Sequence, residues 1–265
     1  MKKVLLLLTV LVCASPAMAL VFTEDFESYI TSGHSAGYMS PTWTEPAGYG
    51  FLPVTTTTNH TPAGSKSLLV NNNYGATKRG EQHTFGMTLL GTDANPLSLD
   101  YWITAGAGSH RNKGDVIVML SMGEAGTDFT LPAVADPALV TPIPVIAYAK
   151  PYSGDVALYF FDGLDWTKLT PSIDSAPNWY QVNIDVRTSV VDLGTSAYPN
   201  YYTGANARPR AYLGGFDRIS VLYEGRQASG AYWYAVDDIS VSGVPEPATV
   251  ALLGLGCLLL YRRRA

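Results

Sequence analysis

A period of two limits what this chain can fold into more than any other feature. In Trp179-Tyr180-Gln181-Val182-Asn183-Ile184-Asp185-Val186, Tyr180, Val182, Ile184 and Val186 fall on one side, and Gln181, Asn183 and Asp185 on the other. That alternation belongs to a strand with one face in a core and the other toward solvent. Leu97, Leu99, Tyr101 and Ile103 repeat it, as do Ile219, Val221 and Tyr223. Asp115–Ser121 and Val156–Phe161 are more continuously apolar and fit central strands. Between the chain ends no long amphipathic helical pattern occurs. Stretches such as Asn71-Asn72-Asn73-Tyr74-Gly75 and Asp162-Gly163-Leu164-Asp165 mark turns instead. The expected fold is therefore all-β, an antiparallel β-sandwich in one domain over residues 20–243. Leu131–Pro151 carries prolines at 132, 137, 142, 144 and 151, and is expected to be a surface loop plus an edge strand.

The two ends follow other rules. Lys2 and Lys3, the apolar run Val4–Val12 and the small-residue site Ala17-Met18-Ala19 are the three parts of a secretory signal peptide, residues 1–19, cut after Ala19. Val12 stands where a lipidated Cys13 would need a small residue. At the other end, residues 244–265, Val244-Pro245-Glu246-Pro247 precedes an apolar run, Ala248–Tyr261, and then Arg262, Arg263 and Arg264. As a helix that run is about 21 Å long against a hydrocarbon core of roughly 30 Å, short for a permanent span. The arginines would keep its end cytoplasmic and the body outside.

Setting these ends aside changes the charge balance. Lys2, Lys3 and the three terminal arginines belong to them, whereas 21 of the 22 acids lie in between and only Glu246 falls in the tail, leaving the body with 12 basic residues and a net charge of −9. A nucleic-acid partner is disfavoured, and a soluble extracellular domain or a cation binder is favoured. Both cysteines, Cys13 and Cys257, lie in the end segments, so no disulfide or thiolate site staples the body.

Motifs for catalysis come up empty. Gly33-His34-Ser35-Ala36-Gly37 matches a nucleophile elbow, but it sits in an all-β pattern with no helix after it. Retaining glycosidases need two carboxyls about 5 Å apart, and no E-x-D-x-E run is present. Glu24 and Glu27 are expected on opposite faces, and Asp237 and Asp238 are expected to diverge. His34, His60, His83 and His110 lack zinc-ligand spacing. The chain does not read as an enzyme.

Two carboxylates are placed more tellingly. Glu24 alternates in phase with Phe22 and Phe26, and Asp237 with Trp233, Ile239 and Val241. Both acids are thus expected to point inward, where an unpaired charge is costly. Either oxygen ligation of a structural Ca²⁺ or backbone N–H groups would satisfy them. For sugars, Tyr198, Tyr201 and Tyr202 form the candidate platform, with packing at a sheet margin as the alternative.

The opening F-x-E-D-F-E-S and closing A-V-D-D-I-S-V resemble the first and last strands of jelly-roll domains in the concanavalin A-like and carbohydrate-binding-module families. Trp179–Val186 likewise resembles a strand of laminin-G-like domains. This resemblance implies a jelly roll with paired terminal strands and a structural Ca²⁺ on Glu24 and Asp237, with Glu27 and Asp238 in reserve. The tail resembles the PEP-CTERM sorting signal, with Pro245, Glu246 and Pro247 matching its motif. That resemblance implies an exosortase-type membrane processing enzyme as partner. It also implies export, a stage of anchoring in the inner membrane through the tail helix, and final release to the outer surface or extracellular matrix. A structural or adhesive role follows, with extracellular polysaccharide as ligand; a secreted polysaccharide hydrolase of jelly-roll fold is the competing expectation.

Overall fold

The structure, a computed structural model, describes residues 19–29, 42–56, 58–71, 78–91, 95–105, 114–121, 145–152, 155–161, 166–168, 179–186, 190–195, 208–209, 215–225 and 233–245. The signal-peptide span before Ala19, Ser35, the tyrosine cluster at 198–202 and the tail beyond Pro245 lie outside them.

The described residues are built from strands: β1 (Ala19–Glu24), β2 (Val54–Thr55), β3 (Ser67–Asn71), β4 (Lys78–Leu90), β5 (Leu97–Ala105), β6 (Gly114–Ser121), β7 (Val145–Tyr152), β8 (Asp155–Phe161), β9 (Trp166–Lys168), β10 (Tyr180–Val186), β11 (Val190–Thr195), β12 (Arg208–Pro209), β13 (Phe216–Gly225) and β14 (Trp233–Pro245). Every strand pairing among them is antiparallel. One layer runs β12-β11-β10-β5-β14, with β1 and β3 sharing the far side of β14 and β2 beside β3. The other runs β4-β13-β6-β7-β8-β9. β14 belongs to both, leaving β5 after Ser242 and joining β4 through Val244↔Leu90 and Pro245↔Leu89.

The alternating runs do what their period requires. Tyr180, Val182, Ile184 and Val186 are buried, as are Leu97, Leu99, Tyr101 and Ile103, and they meet Ile219, Val221 and Tyr223 of the other layer in one core. Residues 116–120 are buried without a break, because β6 lies inside its sheet with both faces covered. Hydrophobic burial at about 25 cal/mol per Å² of apolar surface is the main stabilising term for such an interface.

The proline-rich segment departs from expectation. Its strand, β7, is not an edge: it pairs with β6 on one side and β8 on the other. Pro151 is tolerated because it lies beyond the last β6 partner, Val116↔Ala149, so its missing N–H costs that ladder nothing.

A second departure shapes the site. Between Asp237↔Trp102 and Ser240↔Asp100, β14 contributes Asp238 and Ile239 against the single residue Tyr101 of β5. This is a β-bulge, and Asp238 takes a left-handed conformation in it (φ 47°). The extra residue shifts the phase of the strand. Tyr234 and Val236 face the core before it, and Ile239 and Val241 after it. Asp237 therefore does not share the face of Ile239 and Val241, as unbroken alternation predicts. It lies opposite Trp102 on the outer side of the sheet.

Candidate functional site

Although Asp237 is on the outer side, it is 0% exposed. The connection between β2 and β3 covers it, and the acid in turn pins that connection. Asp237 Oδ2 accepts hydrogen bonds from the backbone N–H of His60 (2.8 Å) and Thr61 (3.2 Å), and Oδ1 accepts from Asp238 N–H (2.9 Å). Burial pushes its carboxyl up to about 6, against the pull of these amides, with the neighbouring Asp238 charge adding to the rise. Asp238 follows the strap as well: its Oδ1 accepts from Thr61 Oγ1 at 2.8 Å, and its Oδ2 lies 2.6 Å from His60 Nδ1. Asp237 and Asp238 thus converge on one residue pair, His60–Thr61, where strand alternation would have separated them. The bulge and the positive φ bring this about.

The strap has its own logic. Thr61-Pro62-Ala63-Gly64 closes with Gly64 N–H donating to Thr61 O at 2.9 Å, and Ala63 has φ 61°. Proline second and a positive φ third make a type II turn. Gly64 cannot carry a side chain, since a Cβ there would lie 2.5 Å from Glu27 Oε1. That carboxylate accepts from the backbone N–H groups of Ser65 (2.6 Å) and Lys66 (2.7 Å). Partial burial would raise the Glu27 carboxyl, but these amides and the Lys66 charge outweigh it and hold it below the usual range. The far end of the strap is tied down by Lys66 Nζ, which donates to the carbonyls of Glu27 (2.6 Å) and Tyr29 (2.7 Å).

Held this way, His60 is laid flat on Trp102, with ring centroids 3.7 Å apart and planes 16° apart, and Trp179 meets it edge-on at 5.7 Å. The three rings are half-buried, and the His60 side chain is 22% exposed. Below them on the same outer face, Asp100 accepts from Gln181 Nε2 (2.8 Å) and Asn183 Nδ2 (2.8 Å), and Ser98 donates to Asp185. Asp100, Asp185, Asp237 and Asp238 belong to this outer face, and strands β1, β3, β5, β10, β11 and β14 contain no lysine or arginine, Arg208 of β12 lying at the edge of the layer. The result is a platform of three rings at one end of an acidic, amide-rich sheet face.

The four acids grouped as calcium ligands do not gather. Glu24 is buried as expected, but both its oxygens are taken. Oε1 accepts from Phe26 N–H (2.8 Å), and Oε2 from Tyr29 O–H (2.8 Å) and Trp43 Nε1–H (3.0 Å). Tyr29, half-buried and bonded to this carboxylate, is pushed up to about 12. Glu27 serves Ser65 and Lys66, and Asp237 with Asp238 serves His60 and Thr61. Among the described residues no three His, Cys, Asp or Glu side chains are placed to hold a metal ion. The donors around Glu24 and Asp237 are N–H and O–H groups, a set that fits the backbone-satisfied alternative for these acids. Of the other predicted residues, Ala19 opens β1 opposite Gly243, and Pro245 closes β14. Ala17, Glu246, Pro247, Arg262, Arg263, Arg264, Tyr198, Tyr201 and Tyr202 lie outside the described residues.

Sequence reasoning missed the platform. Trp102 and Trp179 carried the only available signal, as large aromatics at outward positions of alternating strands; His60, 42 residues before Trp102, joins them only through the strap.

Comparison with known proteins agrees with this fold and with the tail. Residues 243–265 match the PEP-CTERM protein-sorting motif, the recognition signal of exosortase. The chain is accordingly an exported protein, anchored in the membrane before processing. A carbohydrate esterase of the Shiga toxin-encoding bacteriophage phi24B has a similar structure at 12% identity and a TM-score of 0.51, covering 86% of this chain and 100% of its own. Lectin II from Ulex europaeus (12% identity, TM-score 0.48, covering 85% and 100%) is also similar. So is the CBM2 module of the evolved Dit protein of Lactobacillus casei BL23 phage J-1 (9% identity, TM-score 0.46, covering 86% and 96%). At such identities the likeness concerns the fold, an antiparallel jelly-roll sandwich. No curated protein matches the sequence.

Proposed function

We propose that this exported jelly roll is a non-enzymatic glycan-binding protein of the cell surface or extracellular matrix, and that its sugar site is the His60–Trp102–Trp179 platform. The observation that carries the reading is the stacked His60–Trp102 pair, immobilised by Asp238 and flanked by Trp179. Sugar rings present apolar C–H faces, and flat, pre-positioned aromatic rings bind them without having to be ordered on binding. The adjoining Asp100, Gln181 and Asn183 supply the directional polar groups that a sugar's hydroxyls need. Because Asp100, Asp185 and Asp238 lie on the same outer face as the rings, the glycan is neutral or amine-bearing, since an acidic polymer would be repelled.

The test is an array of neutral, amine-bearing and uronate polysaccharides presented to the exported body, with product release assayed in parallel. Retention of neutral or amine-bearing chains without product is the expected result. Exclusive retention of uronate polymers would remove the charge argument, and turnover would favour the hydrolase reading. No binding to any polymer would leave a structural part without a sugar site.

A further inference from the structure

We infer that the sorting motif begins inside the folded sheet, so that the processing enzyme meets this chain at the rim of the sandwich and cuts it at or beyond the Pro245–Glu246 bond. β14 does not stop short of the motif. It crosses from one layer to the other at Gly243 and continues through Val244↔Leu90 to Pro245↔Leu89, and Pro245 is the first proline of Pro245-Glu246-Pro247. The crossover is tight, since a Cβ at Gly243 would lie 2.7 Å from Leu97 Cδ1. Proline lacks an N–H and ends the ladder there, so the fold and the signal abut with no spacer.

Two consequences follow. Peptide bonds upstream of Pro245 lie within a paired strand, where a protease that takes its substrate extended would first have to unzip β14. The His60–Trp102 platform is also held at a set distance from the first residue of the motif. Asp237, opposite Trp102, is eight residues before Pro245, about 25 Å along the strand at roughly 3.3 Å per residue. If the leader is cut after Ala19, the new amino end is Leu20, which starts near the Leu89–Leu90 rim because it pairs with Ser242.

In the cut itself, one peptide C–N bond breaks. The acyl carbon passes to water or to an amine of a surface acceptor, and the nitrogen leaves protonated at the head of the tail. The inference rests on the sorting motif and not on glycan binding, so an empty glycan array leaves it standing.

The experiment expresses the full chain in a bacterium that has an exosortase and reads the carboxyl end of the released body by mass spectrometry. A parallel variant carries ten Gly/Ser residues between Gly243 and Val244, which leaves Val-Pro-Glu-Pro intact but lifts it off the sheet. The native product is expected to end at Pro245 or later, as a free acid or as an amide, and the spacer variant to be processed at least threefold faster. A native product ending before Pro245, or a spacer variant processed at the native rate, would overturn the inference.

Discussion

The His60 ring lies flat on Trp102 because Asp238, at 2.6 Å from His60 Nδ1, holds it from the opposite strand. The stacked pair at the heart of the platform is therefore a composite of three parts of the chain. The strap supplies the histidine, β5 the tryptophan beneath it, and the bulge of β14 the carboxylate. Substituting Trp102→Ala removes the ring on which His60 rests, whereas Asn183→Ala, on the same outer face, removes one exposed amide. If the platform binds glycan, Trp102→Ala should weaken retention by about five- to tenfold, corresponding to a stacking contribution of about 1–1.5 kcal/mol. Asn183→Ala should cost about threefold or less, a weakly held exposed hydrogen bond. Affinity electrophoresis on the best array ligand measures both, and equal effects of the two would place the sugar elsewhere.

How much of this was legible beforehand differs between layers of the argument. The core positions of β5, β10 and β13 could be read directly, because alternation is a local property and each strand is uninterrupted where the apolar residues fall. The tail could be read because its parts are contiguous. The Asp237 assignment failed on one inserted residue: a bulge flips every later side chain, and nothing in Ala235-Val236-Asp237-Asp238-Ile239 marks which residue is extra. Asp238 tolerates positive φ better than most residues, which in hindsight is the only local hint. The platform was illegible for a different reason. His60 and Asp238 are 178 residues apart, and their meeting depends on how the strap between β2 and β3 crosses the sheet.

The turn in that strap offers a substitution that should stabilise the protein. Ala63 occupies the third position of a type II turn at φ 61°, where a Cβ is strained, and its side chain is exposed. Glycine takes this conformation freely, and Ala63 has no packing to lose. Ala63→Gly is expected to raise stability by about 0.5–1 kcal/mol, the relief of left-handed strain less the entropy that glycine adds to the unfolded chain. Urea denaturation at neutral pH reads the change. The same exchange reversed one residue later, Gly64→Ala, should destabilise, because the new Cβ meets the Glu27 carboxylate.

Glu24 is expected to be a keystone of the amino-terminal corner. Its carboxylate takes three donors from Phe26, Tyr29 and Trp43, and Phe26 itself is wholly buried at φ 58°. Glu24→Ala leaves those donors without an acceptor, and a loss of about 3–5 kcal/mol is expected. For a domain of this size that loss lowers the thermal midpoint by on the order of 10 °C. Glu24→Gln should not rescue it fully, because an amide NH₂ would face an N–H or O–H donor whichever way it is turned. Differential scanning calorimetry of the two variants checks the ordering, and a fully rescued glutamine variant would contradict it.

Glu81 should make the protein less stable as the medium turns alkaline. It lies on β4, 3% exposed, with Leu52 N–H as its hydrogen-bond donor at 3.2 Å. Burial pushes its carboxyl up to about 8; the Leu52 amide opposes that rise, and the nearby Glu45 charge adds to it. The sign follows from linkage. The folded chain holds this proton up to about pH 8, whereas the unfolded chain releases it near the ordinary value of 4.5. The folded state therefore binds more protons throughout that window, and stability falls as pH rises through it. Glu81→Gln keeps an oxygen for Leu52 N–H and removes the ionisation. It is expected to match the native protein near pH 4 and to exceed it by about 2–4 kcal/mol at pH 9, a bound set by the size of the pKa rise. Guanidinium unfolding at the two pH values measures the difference, and a gap that does not widen with pH would show that Glu81 ionises in the fold without cost.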